Sequence, residues 1–102
     1  MLANLLKSKV KLMEKTATQG ALGQTVTWKP VHEYYARVIP LDVRAIAQFM
    51  QLDTVVTHKV ILRGTVSIDL GSHRLLHEDK TYQPQQSAKH VNGHTEIVVL
   101  EL

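Results

Sequence analysis

The chain contains no cysteine, which excludes disulfides, thiolate nucleophiles, iron–sulfur clusters and every cysteine-bearing zinc site. Aromatic residues are few: Trp28, Tyr34, Tyr35, Phe49 and Tyr82 are the full set. Valine, isoleucine and leucine must therefore supply most of the burial, at about 25 cal/mol per Å² of apolar surface. No apolar run approaches the roughly 20 residues a spanning helix needs, so no membrane partner is expected. The opening Met1-Leu2-Ala3-Asn4-Leu5-Leu6-Lys7 passes into alternating lysines, not a longer apolar stretch. No secretory signal is read, and the chain is expected to be soluble and to stay where it is made.

What is present is the composition of an ordinary globular domain, 44% apolar and 21% charged over 102 residues, and one domain spanning 1–102 is expected. The net charge of +3 comes largely from Lys7, Lys9, Lys11 and Lys15. That spacing reads as the solvated face of a strand, since a dedicated duplex binder usually shows a denser basic patch, with contact to nucleic acid or an acidic partner as the alternative.

Between Lys7 and Lys15 the period is two, with Val10 and Leu12 on one side and Lys9, Lys11 and Met13 on the other, as in a half-buried strand. Thr16 to Gln24 has no periodicity and two glycines, and reads as a long flexible loop of functional character. Thr25-Val26-Thr27-Trp28 reads as a short strand ended by Pro30, and His32 to Ile39 as a strand ended by Pro40. The period then changes. Asp42 is the expected N-cap of a helix from Val43 to Leu52, with Val43, Ile46, Ala47 and Met50 inward, Arg44, Gln48 and Gln51 outward, and Phe49 toward the polar side unless the helix rolls. Further strands are expected over Val55–Arg63, Thr65–Leu70, Arg74–His77, Thr81–Gln83 and Thr95–Leu102, with Gly64 at a bend and Asn92-Gly93 as a hairpin turn. The fold class is mainly β, a small β-barrel or sandwich with one inserted short α-helix and long loops.

Chemistry is thinly provided for. His73/His77 and His90/His94 have the i, i+4 spacing that chelates zinc on a helix, but neither pair falls in a helical pattern. On one strand, residues four apart lie about 13 Å from each other, too far to share one ion. There is no Gly-x-Ser-x-Gly elbow, and Gly20-Ala21-Leu22-Gly23 lacks the lysine and spacing of a phosphate-binding loop. No enzyme, metal or cofactor is expected.

The linear order carries more than any motif. A basic first strand, a Gly-containing stretch leading to Trp28, then Tyr35-Ala36-Arg37-Val38-Ile39-Pro40, a helix, and Thr57-His58-Lys59-Val60-Ile61-Leu62-Arg63 follow one another. This order resembles the phage head–tail joining family, the small head-closure or stopper proteins of long-tailed bacteriophages. Tyr82 matches only part of that family's later Gly-x-x-Tyr strand, because Glu78-Asp79-Lys80 stands where a glycine turn is common. Gly64 follows Arg63 where the family often has an aromatic.

The resemblance implies a barrel with an inserted helix, assembled as a ring, a dodecamer or hexamer, in the neck of the virion after assembly in the host bacterial cytoplasm. Its partners would be the portal or adaptor protein above and a tail terminator or tail tube protein below, with packaged DNA passing through the channel. Gln19, Gly20, Leu22 and Gly23 are expected to reach a neighbouring subunit or ring. Arg44, Gln48, Phe49 and Gln51, on the insert from Asp42 to Thr54, are expected to face the channel or the tail. A tail-completion or tail-terminator protein and a small nucleic-acid-binding barrel are the alternatives. Trp28, if it is core, is expected to cost several kcal/mol on replacement by alanine.

Overall fold

A computed structural model describes residues 8–102. In chain order it contains β1 (Ser8–Gly20), β2 (Gly23–Pro40), α1 (Val43–Met50), β3 (His58–Arg63), β4 (His73–His77), β5 (Lys80–Pro84), β6 (Lys89–Val91) and β7 (His94–Glu101). All strand pairs are antiparallel, in the order β3-β2-β1-β4-β5-β7-β6, and β3 also pairs with β7. That last pairing closes the sheet into a ring of hydrogen bonds through β1, β2, β3, β7, β5 and β4, so these strands satisfy one another's edges.

Alternation explains what the ring encloses. Val10 and Leu12 of β1, Ala36 of β2, Val60 and Leu62 of β3, Leu75 of β4, Tyr82 of β5 and Ile97 and Val99 of β7 are buried together with Val66. Period two puts each of these side chains on the concave face, while Lys9, Lys11, Arg37 and Arg63 stand on the outside. The expectation for the first strand holds, and the core is aliphatic with one tyrosine. The ring of His58 meets Tyr82 edge-on at 5.2 Å.

The segment from Gly64 to Leu70 corrects an expectation, for it forms no strand. Its apolar residues still point inward, Val66 buried and Ile68 half-buried. A side chain replaces the missing ladder: the buried Thr95 hydroxyl accepts from the Val66 amide at 2.9 Å and donates to the Gly64 carbonyl at 2.8 Å. Thr95→Val keeps the shape and leaves a buried amide without a partner, so we expect a loss of about 1–3 kcal/mol. Urea unfolding should show a lower midpoint at unchanged m-value, with Thr95→Ser closer to wild type.

Other boundaries shift for local reasons. The strand expected from Val55 begins only at His58, and Val56 is buried on the approach to it. The Asn92-Gly93 turn is as expected, both residues at positive φ (48° and 79°), which suits the right-handed twist of a two-residue hairpin. Glu78 takes φ 57° in the β4–β5 turn, the place where the resemblance anticipates glycine.

One corner of the ring responds to alkali. Glu101 receives a hydrogen bond from Lys80 (3.3 Å) and holds that ammonium protonated above its ordinary 10.5. Burial, reinforced by Glu101, pushes the Tyr82 phenol above its ordinary 10.0. Both groups hold their protons more tightly in the folded chain, so their contribution is complete below about pH 10 and is lost as pH rises through the raised values. Melting temperature followed by circular dichroism should fall above about pH 10, and less steeply in Tyr82→Phe.

Candidate interface surfaces

The stretch from Thr16 to Gln24, expected as a flexible loop, is instead the end of a long β-hairpin. Thr16↔Thr27, Ala17↔Val26, Thr18↔Thr25, Gln19↔Gln24 and Gly20↔Gly23 are paired in register, and Ala21-Leu22 makes the turn. Alternating threonines favour extended backbone, and the Thr16 and Thr27 hydroxyls share a hydrogen bond of 2.6 Å across the strands. Gly23, at φ 114°, adopts the backbone that the tight turn requires and that a side chain would disfavour. Nor does Pro30 end a strand. A register shift at Leu12/Met13 sets Pro30 opposite Met13 and His32 opposite Leu12, leaving Val31 as the extra residue of a bulge. On its other side β2 has no partner before Ala36, so the absent Pro30 amide interrupts no second ladder.

β4 accompanies β1 only from Lys11 to Glu14, with one further bond from the Lys15 amide to the Ser72 carbonyl (2.8 Å). Beyond that point the hairpin projects as an arm about 17 Å long. It carries no charged residue from Thr16 to Thr27, and neither of its outer edges has a strand partner among the described residues. The four residues expected at a contact, Gln19, Gly20, Leu22 and Gly23, are brought together at its tip, where the Leu22 side chain is fully exposed.

The helix is placed elsewhere. Asp42 caps it as expected, its carboxylate accepting from the Ala45 amide at 2.8 Å. Its inward face is only partly the expected one: Ile46 is turned in, and the roll left open for Phe49 is the one adopted. Val43 and Met50 are exposed, and Ala45, Ile46 and Phe49 are the half-buried residues. With six apolar side chains among eight, two faces could turn inward, and the ring of Phe49 fixes the roll by lining a groove of about 270 Å³ with Leu41, Ile97 and Val98. Arg44, Gln48 and Gln51 are exposed as expected. The groove was not legible in the sequence, because its walls come from segments nearly 60 residues apart. Lys59 and Glu96 form an ion pair on its floor.

The two sets of residues are therefore not one site. The arm tip begins β2 and the helix follows its end, 18 residues away. At about 3.3 Å per residue that strand is comparable to the 51 Å long dimension of the molecule.

Trp28 is not core. It is half-buried near the root of the arm, on the outer face, with the Arg74 guanidinium 4.2 Å over its ring. Two of the histidines serve local structure: His73 Nδ1 accepts from the Asp69 amide at 2.8 Å, and His94 Nδ1 donates to the Asn92 carbonyl at 3.0 Å. Among the described residues no three His, Asp or Glu side chains gather as a metal set, and no helix is long and apolar enough to cross a membrane.

The strand ring thus bears an uncharged arm where β2 begins and a helix after β2 ends, two exposed features set apart along one strand. Comparison with known proteins gives this fold a family. The model of the phage head completion protein family matches residues 1–101, and the chain belongs to that family, whose members are structural proteins of the virion that act in head closure together with other head and tail proteins. The solution structure of protein SF1141 from Shigella flexneri 2a has the same fold: 16% of residues are identical, the TM-score is 0.77, and 99% of this chain and 96% of that one are covered. No curated protein matches the chain.

Proposed function

We propose that copies of this chain form a ring in the phage neck that joins the portal or adaptor complex to the tail and helps to retain packaged DNA. The observation that carries this reading is that two exposed surfaces, the arm tip and the helix, lie at opposite ends of β2. A joining element needs two faces that engage different neighbours without competing.

At one end, the arm tip with Gln19, Gly20, Leu22 and Gly23 reaches a neighbouring subunit or ring. Its unpaired edges offer main-chain hydrogen bonds to an incoming strand, and Leu22 offers an apolar knob. At the other end, Arg44, Gln48 and Gln51, beside the groove under Phe49, form the second surface. Each contact is small, but a closed ring engages many at once, so the assembly releases far more slowly than any single contact.

Electron microscopy of particles made without this gene, beside a complemented control, tests the reading. Tailless heads emptied of DNA beside complete free tails support it. Filled, normally tailed virions overturn it, and malformed tails on complete heads would move the protein to tail completion.

A further inference from the structure

The register of the sheet gathers basic side chains that are scattered in the sequence. Lys9, Lys11 and Lys15 lie on one side of β1, opposite to buried Val10 and Leu12. Pairing sets Lys9 beside Tyr35, which shares its side of β2 with Arg37, and sets Met13, between Lys11 and Lys15, beside Arg74 of β4. Arg63 lies on the same side of β3, next after Leu62, the partner of Ala36. The outer side of β4, β1, β2 and β3 thus holds seven of the chain's 12 lysines and arginines, Lys59 among them although Glu96 of β7 pairs with it, and only Glu33 of its nine acids. Aromatic rings are interleaved, with the Lys9 ammonium 5.5 Å from the Tyr35 centroid and Arg74 over Trp28.

We propose that this face is a contact surface for the sugar-phosphate backbone of duplex DNA. Like charges on a convex sheet repel one another, and the one acid among them, Glu33, lies 3.9 Å from Lys9 in the open and directly across from Lys11 in the register. A polyanion removes that repulsion by taking the place of the counterions. From Lys9 to Lys15 the stripe runs about 20 Å, or roughly six base-pair steps at 3.4 Å each. The choice of DNA among polyanions rests on the neck reading, in which DNA is the polyanion that passes the ring. No base-reading element accompanies the face, so the contact is indifferent to sequence.

Fluorescence anisotropy of a labelled duplex with the full chain tests this directly. Binding should weaken between about 50 and 200 mM salt with a slope of about −4 in log K against log salt. Lys9→Gln/Lys11→Gln should flatten that slope by about 1.8, at about 0.9 per phosphate contact. Lys29→Gln/Lys80→Gln removes the same charge away from the face and should leave the slope near wild type.

Equal effects of the two double variants, or no binding at about 50 mM salt, would overturn the proposal. So would competition by polyglutamate as effective as that by unlabelled duplex, because the face would then suit an acidic protein. Failure here leaves the neck reading standing if gene deletion still yields tailless heads, and normal virions sink that reading whatever the anisotropy shows.

Discussion

Replacing Thr18–Thr25 by Asn-Gly should leave a folded protein that no longer joins heads to tails. The cut falls between Ala17 and Val26, which are cross-strand partners, so a two-residue turn suited to hairpins can close the shortened arm. Every residue removed is exposed. Stability should therefore change by no more than about 0.5 kcal/mol, as for surface changes generally, and the thermal melt should overlay that of wild type. If the tip makes the contact proposed for it, each copy in the ring loses the same interaction, and the loss multiplies around the ring. Infectious titre from a complemented deletion should fall by several orders of magnitude, with tailless heads accumulating. A folded, arm-less protein that restores normal titre would remove the arm from the mechanism. Leu22→Ala, which trims the knob and keeps the edges, should be milder, and the difference between the two variants separates side-chain contact from strand pairing.

The arm also shows where reading the sequence fails. Val10, Leu12, Val60 and Leu62 were legible because one side of each strand faces the core and the other faces water, so the pattern alternates. In the arm both faces are wet. Threonine, glutamine, alanine and glycine alternate with only Leu22 and Val26 as large apolar residues, too few to set a period, and a hairpin that is regular in space looks like a loop in sequence. Two glycines and a proline strengthened that impression, although Gly23 serves the turn and Pro30 sits beside a bulge at an open edge.

The helix was legible in place and in its cap, since Asp42 and the change of period mark its start. Its roll was not legible, because Val43, Ala45, Ile46, Ala47, Phe49 and Met50 leave more than one apolar stripe available. The choice depends on Leu41, Ile97 and Val98, which lie outside the window any periodicity can sample. The candidate residues fall in sequence on a loop-like stretch and on a helix, and the structure separates them onto two surfaces. The basic face is of the same kind: Lys9 and Lys11 announce a wet strand side, but only the register with β2, β3 and β4 brings arginines to it.

Leu62→Ala should be the most damaging single truncation, and its contrast with Trp28→Ala tests where the core lies. Leu62 is fully buried near the end of β3, paired with Ala36 of β2 on one side and Thr95 of β7 on the other. It thus sits at the seam that closes the strand ring. Neighbours tied into two ladders cannot collapse far into the space left behind, so the loss combines transfer of the missing methyl groups with a residual cavity, about 2–5 kcal/mol. For a domain with about 5–15 kcal/mol in all, that endangers folding at growth temperature. Trp28, the larger side chain, should lose much less. Its indole lies on the outer face, only partly covered and outside the enclosed core, and its specific partner is Arg74, an interaction of about 0.5–1 kcal/mol at exposed sites. Urea unfolding of both variants decides the matter: a midpoint far lower for Leu62→Ala than for Trp28→Ala places the core inside the strand ring. The reverse order would mean that the indole at the arm's root anchors the fold, and then the arm could not be shortened without unfolding the domain.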